Sequence, residues 1–166
     1  MNHKMRRFRQ QLTETADIAI LQRNTAGVLN LLGEDGYPYG VPLNYVYEDG
    51  KIFFHCATQG YKLDAIRHHN KASFTVIDQA QVIAEEYTTD FCSVIVFGQI
   101  AIVKDDLEKR HAMEALAARF IPGDEKGRLA EIDKCYQDFL ILALDVEEMT
   151  GKKAMELVKT DNPETC

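Results

Sequence analysis

Tryptophan is absent from the chain, proline occurs only four times, and the four cysteines, Cys56, Cys92, Cys135 and Cys166, show no paired spacing. That pattern suggests neither a zinc site nor a disulfide scaffold, and the thiols read as reduced. Basic charge is scarce as well: nineteen Lys and Arg face twenty-six Asp and Glu, a formal charge of -7. A surface that grips phosphate backbones is therefore not expected, and nucleic acid is not an expected partner. No apolar run approaches the roughly 20 residues that cross a bilayer. The basic start, residues 1–10, has no apolar segment behind it to resemble an export signal. No membrane partner is expected, and the sequence reads as cytoplasmic.

What is present suits one domain with a buried core. The chain has 166 residues, 46% of them hydrophobic and 27% charged. The domain is taken as residues 1–159, followed by a loose polar tail, 160–166. Leu12, Ala16, Ile20 and Leu21 recur at helical spacing and predict a helix over 12–23. Strands are expected at 26–32, 39–47 and 51–57, joined by the Asp35-Gly36 and Asp49-Gly50 steps, which favour tight turns. Pro42 is expected to interrupt the second of these. A short helix follows over 60–70, then strands at 72–77 and 93–103 with a polar loop, 78–90, between them. Helices at 105–120 and 127–136 and a strand at 139–146 complete the reading. Turns too short for crossover helices exclude a parallel doubly wound sheet and favour a mainly β antiparallel barrel with peripheral α-helices.

The segment from Phe54 to Ile66 carries the most chemistry: a strand ends in a small-residue loop, Ala57-Thr58-Gln59-Gly60, and enters a helix beside Lys62. Unpaired amides at a helix start, next to a lysine, stabilise an anionic group. Lys62 is thus a phosphate candidate, or else a solvated helix lysine beside a turn. The preceding strand offers the Asn44 amide and, at Pro42, a break that would expose backbone to a planar heterocycle. A phosphate-bearing aromatic cofactor suits both features.

In order, the motifs Asp35-Gly36-Tyr37-Pro38-Tyr39-Gly40-Val41-Pro42-Leu43-Asn44-Tyr45, His55-Cys56-Ala57, Gly60-Tyr61-Lys62, Ser93-Val94-Ile95-Val96-Phe97-Gly98 and Thr150-Gly151-Lys152-Lys153-Ala154 resemble the pyridoxamine-phosphate-oxidase-like flavoproteins. The resemblance is greatest to their nitroimidazole-resistance (Nim-like) branch. It implies a split-barrel homodimer with FMN at the subunit interface. Pro42, Leu43, Asn44 and Tyr45 would flank the flavin ring, Cys56 and Ala57 would lie along the ribityl chain, and Lys62 would meet the phosphate. Ser93 and Val94 match a further contact strand, with the partner chain as one source. Tyr61 stands where that branch often has histidine, and the Arg-x-His pair that grips the substrate phosphate in true pyridoxamine phosphate oxidases has no match. Vitamin B6 oxidation is therefore not the expected activity.

The expected function is that of an FMN-dependent oxidoreductase, reduced by NADH or NADPH and passing electrons to a small oxidised organic molecule, with nitroaromatics suggested by the resemblance. FAD is the alternative flavin. A non-catalytic flavin carrier or sensor, or a split barrel holding haem or a deazaflavin, would show the same pocket residues. His55, at a strand end beside the cofactor loop, is the catalytic candidate or a half-buried structural histidine. No metal site is expected from His68, His69 and Asp64; Asp64 and His68 read as a surface pair at helical spacing. Glu85-Glu86 and Asp105-Asp106 read as solvated acids, and Tyr37, Tyr39, Tyr45, Tyr47, Phe53 and Phe54 mostly as core.

Overall fold

The computed structural model describes residues 4–159; the expected loose tail, 160–166, lies outside them. The first helix, α1 (Glu14–Arg23), starts where the Thr13 hydroxyl accepts the Ala16 N–H. β1 (Ala26–Leu32) and β4 (Lys51–Ala57) fall as read, whereas the strand read over 39–47 divides into β2 (Pro38–Asn44) and a brief β3 (Val46–Glu48). Asp49 and Gly50 both take positive φ, 45° and 80°, which is the backbone a two-residue hairpin turn demands. Next come α2 (Tyr61–His68), the long antiparallel pair β5 (Lys71–Ile83) and β6 (Thr88–Ile102), the helices α3 (Asp106–Phe120) and α4 (Glu125–Cys135), β7 (Phe139–Lys153) and α5 (Met155–Lys159). Asp105 and Asp124 cap α3 and α4 by accepting the Glu108 and Gly127 N–H groups.

All seven strands form one antiparallel sheet in the order β2-β1-β5-β6-β7-β4-β3. Its two end strands, β2 and β3, are consecutive in the chain and separated by Tyr45 alone, so one stretch pairs with β1 in its first half and with β4 in its second. This joins the ends of the sheet and makes the barrel. The break expected at Pro42 thus falls three residues later. Pro42 stays in register opposite Val28, which an end strand tolerates because its outer side needs no ladder bond. Tyr45 is held instead by three contacts: its N–H donates to the Thr25 carbonyl, its hydroxyl to the Leu21 carbonyl at 2.8 Å, and its ring meets Phe74 edge-on.

The polar loop expected over 78–90 is also overturned. β5 and β6 continue as a paired ribbon to Ile83 and Thr88, with Tyr87 in the left-handed region at its tip. Between Ala80 and Asp90 the ribbon ladders only with itself, so most of its side chains meet solvent on both faces and its sequence has no apolar face to betray it. The register slips at Asp78, a bulge that turns this carboxylate back towards α1. There it accepts from Arg23 and Asn24, and the Arg23 guanidinium holds its pKa below the usual range.

Inside the barrel, Tyr45, Phe54 and Phe74 pack with the apolar residues of β1, β6 and β7 and with Ile20, Leu21, Leu63 and Ile66 of the flanking helices. A second, smaller core lies outside it, where Val46, Phe53, Ile141 and Ala143 meet Ala112, Leu116 and Ile132 of α3 and α4. Of the aromatic set, Tyr45, Phe53 and Phe54 are core, Tyr39 and Tyr47 are half-buried, and Tyr37 is exposed. No helix among the described residues is long and apolar enough to cross a membrane.

Candidate functional site

Strand alternation sorts the β4 residues. Ile52, Phe54 and Cys56 point into the barrel, whereas Phe53, His55 and Ala57 point outward, beneath α3 and α4. Between this outer face and the two helices lies a cavity of about 620 Å³. Asn44, His55, Cys56 and Ala57 line its barrel side, Met113, Leu116, Ala117 and Phe120 its α3 side, and Ile132 and Cys135 its α4 side. Four of the residues expected from sequence thus meet at one wall.

Each member of that wall has a distinct setting. The Asn44 side-chain amide donates to the Thr25 carbonyl at 3.0 Å. The joint that carries Thr25 is itself fixed: Arg119 of α3 donates to the Gln22 and Asn24 carbonyls, and the Asn24 amide donates to Asp78 at 2.7 Å. Asn44 therefore inherits its orientation from three elements. His55 is exposed, and among the described residues its ring has no hydrogen-bond partner. Cys56 is 6% exposed and packs with the barrel core. Burial pushes its thiol pKa up, with the Lys62 charge acting in the opposite sense. A protonated, inward thiol is a space-filling residue.

The β4–α2 turn supplies the positive charge. Gly60 precedes α2 with φ 135°, a conformation that side chains resist. Lys62 is half-buried in the first turn of the helix. The acid on the same helix, Asp64, pairs with Arg67 at 3.0 Å and not with His68 as expected. Lys62 is thereby left without a carboxylate partner among the described residues, the condition in which a lysine is available to an anion. Tyr61, in the position next to it, donates to Asp35 at 3.0 Å and stacks edge-on against Tyr39, tying the β1–β2 turn to the start of α2.

The other expected contacts are spread more widely. Pro42 is exposed and Leu43 half-buried, while Tyr45 is fully buried and presents no side chain to the cavity. Ser93 and Val94 lie on β6, away from the cavity of their own chain. Val94 is fully buried in the barrel, and Ser93 faces outward beside Ile77 and Ile95. The reduced-thiol expectation holds for Cys56 and Cys135 and not for Cys92, whose sulfur is disulfide-bonded. No group of three or more metal-ligating side chains exists among the described residues.

Sequence reasoning missed the helical wall. Met113, Leu116, Ala117 and Phe120 recur at helical spacing, and such a stripe reads the same whether it faces packed core or open cavity. The one available signal was Phe120-Ile121 just before Pro122-Gly123: two large apolar residues at a helix end, both substantially exposed in the structure.

The family model for pyridoxamine 5'-phosphate oxidase matches residues 14–153. No curated protein matches the sequence. Among solved structures, one similar chain is a candidate 5-nitroimidazole antibiotic resistance protein from Bacteroides thetaiotaomicron, with 19% identity, 86% of each chain covered and a TM-score of 0.72. A FAD-binding protein from Mesorhizobium loti shares 22% identity over 87% of this chain and 97% of its own, with a TM-score of 0.65. An FAD and heme binding protein from Mycobacterium smegmatis, also 22% identical, covers 92% of this chain and 80% of its own at a TM-score of 0.69. These likenesses establish a common split-barrel fold.

Proposed function

Because the chain belongs to the pyridoxamine 5'-phosphate oxidase family, we propose that it binds a flavin, FMN, along the outer face of β4 and works as an oxidoreductase. One observation carries the reading. Asn44, His55 and Ala57 line one wall of a cavity, and β4, which carries His55 and Ala57, runs directly into the turn that holds Lys62 without a carboxylate partner among the described residues. The donor set fits the group: a neutral amide and exposed strand atoms suit a planar heterocycle, and a lysine at a helix start suits a phosphate. When bound, the flavin supplies the electron-transfer chemistry.

The residues of the chain bind and orient. Lys62 offsets the phosphate charge, the pinned Asn44 amide fixes a polar edge, and the His55 ring nitrogen stands at the cavity to give or take a proton. NADH or NADPH is the proposed donor and a small oxidised organic molecule the acceptor, with nitroaromatic compounds as first candidates. FAD is a second reading favoured by the exposure of Thr58, Gln59 and Gly60, which leaves an adenylate free to lie in solvent. A second copy of the chain is proposed to cover the outer face of β5 and β6, where Ile77 is 64% exposed and Ser93 faces outward, and to bring Ser93 to its partner's site.

Two titrations test the reading. Lys62→Ala should weaken FMN by roughly tenfold or more and leave riboflavin nearly unchanged, since a charge-assisted contact is worth about 1.5–3 kcal/mol and only FMN carries the phosphate. Equal loss of both ligands would remove Lys62 from the phosphate site, and absence of any flavin binding would end the proposal. Anaerobic bleaching of the bound flavin by NADH or NADPH separates an enzyme from a carrier, which neither donor would reduce.

A further inference from the structure

The formal charge of -7 hides a local concentration of the opposite sign. Arg6, Arg7 and Arg9 stand together before α1, and none of them meets a carboxylate among the described residues. Every other arginine is engaged: Arg23 with Asp78, Arg67 with Asp64, Arg110 with Glu114 and Asp133, and Arg119 and Arg128 with backbone carbonyls. The basic segment is nevertheless held in one conformation. The Gln10 N–H donates to the Arg7 carbonyl at 2.9 Å, closing the 3-10 turn Phe8–Gln10, and the Leu12 N–H donates to the Gly151 carbonyl of β7 at 3.0 Å. Like charges fixed side by side repel one another, and an anion between them relieves the repulsion.

Between this turn and Met155 of α5 lies a hollow of about 290 Å³, lined by the three arginines, Phe8 and Gln10. Two of its members ask for more than negative charge. Phe8 is 69% exposed, with the Arg9 guanidinium 6.0 Å from its ring centroid. A ring held in water beside a guanidinium is a stacking surface for a heterocyclic base. Gln10 is 3% exposed, and its side-chain oxygen is buried with no hydrogen-bond partner among the described residues. An unpaired buried acceptor is costly, and only an N–H or O–H donor satisfies it, which a phosphate dianion is not. Arginines for a phosphate, a ring for a base and an acceptor for an amino or hydroxyl group together complement a phosphorylated nucleoside. The hollow is just smaller than the roughly 300–1,000 Å³ of whole-ligand pockets, so it suits one such unit and not an entire dinucleotide.

We infer that the turn from Arg6 to Gln10 binds a phosphorylated nucleoside, at a site separate from Lys62. None of the residues lining the hollow belongs to β4 or α2. Gln11, next in the chain, bridges to Lys152, and Lys152 lies opposite Ser93, the residue proposed to reach the partner's site. That adjacency alone rests on the proposed function. It makes the phosphorylated adenosine end of a dinucleotide the expected occupant, with two sources of the same chemistry: a separate NADPH molecule or the adenylate of FAD.

Calorimetry on the full-length protein with adenosine 2',5'-bisphosphate, adenosine and inorganic phosphate tests this. The bisphosphate should bind about tenfold or more tighter than either of the others. Replacing Arg6, Arg7 and Arg9 together by Gln should lower its affinity to that of adenosine. Phe8→Ala should weaken the bisphosphate about fivefold or more and leave inorganic phosphate unchanged, since only the nucleoside stacks. Inorganic phosphate binding as tightly as the bisphosphate, or a Phe8→Ala protein of full affinity, would reduce the hollow to an unselective anion patch and overturn the inference. So would a loss in Lys62→Ala equal to that of the triple variant, because the ligand would then occupy the proposed flavin phosphate site. The triple variant also separates the sources: a loss confined to NADPH against NADH assigns the hollow to the donor, a loss confined to FAD against FMN assigns it to the flavin's adenylate, and loss of neither overturns the inference. A protein that takes up no flavin but still binds the bisphosphate through these arginines would refute the flavin reading and leave this one standing; flavin binding with no bisphosphate binding would do the reverse.

Discussion

Helices α1 and α3 both lie on the barrel, and they are attached in opposite ways. α1 is sunk into it: Ile20 and Leu21 are fully buried, the Leu21 carbonyl accepts from Tyr45, and Asp17 is buried with one oxygen accepting the Gly151 N–H at 3.0 Å. α3 buries only Ala112 and Leu116. Otherwise it is moored by polar contacts near the surface: Lys51 to Glu108 at 2.7 Å, His111 to Glu48 at 2.7 Å, Lys109 to the Tyr136 carbonyl, and Arg119 to the α1–β1 joint. The cavity of about 620 Å³ lies under the second helix, whereas the space beside the first, lined by Leu12, Glu14, Asp17 and Tyr47, is smaller, at about 360 Å³. A helix that must close a barrel is packed, whereas a helix that must roof a cavity is tethered at its margins.

The largest test of this contrast is a pair of truncations. Leu21→Ala should cost near the upper part of the usual range of about 2–5 kcal/mol for a buried leucine, because nothing can collapse into the gap. Leu116→Ala, whose side chain already borders open space, should fall near the lower end. Urea denaturation midpoints measure both, and equal losses would erase the distinction.

The second test uses pH. Burial pushes the Asp17 pKa up to about 6, with the Gly151 N–H acting against it and the Glu14 charge adding to it. The folded protein therefore holds this proton more tightly than the unfolded chain, where a carboxyl titrates near 3.9. Ionised Asp17 costs stability above about pH 6, and that cost fades as pH falls towards 4. Asp17→Asn should raise stability at pH 7 by up to about 3 kcal/mol, the equivalent of about two pKa units. The gap between variant and parent should shrink over that window. A gap independent of pH would remove the carboxylate from the interior.

The smallest effect is expected at the moorings of α3. Glu108→Gln breaks an ion pair whose two side chains are each more than a third exposed, so the loss should be below about 1 kcal/mol and should vanish in high salt. A larger loss that persists in salt would mean that α3 is packed after all.

These contrasts also explain what the sequence revealed. β1 and β4 are legible to the residue because the steps Asp35-Gly36 and Asp49-Gly50 punctuate them and their apolar runs face a core. The caps Thr13, Asp105 and Asp124 lie where the helices begin. The ribbon beyond Ile77 was hidden because strand alternation appears only when one face is dry. The break at Tyr45 was hidden because its cause, a hydroxyl reaching Leu21, is 24 residues away. On the site, the β4 wall and Lys62 came from local pattern and resemblance. The roof of the cavity did not, since helical spacing cannot distinguish an empty neighbour from a packed one.

The joint at Tyr45 has a mechanical meaning. Where the first and last strands of a sheet are successive pieces of one segment, the seam of the barrel is the polypeptide itself and not a ladder of hydrogen bonds. Such a seam cannot fray or be pried open by a competing strand. To separate its two sides the protein must release the tyrosine that serves as its rivet, and with it the packing of α1.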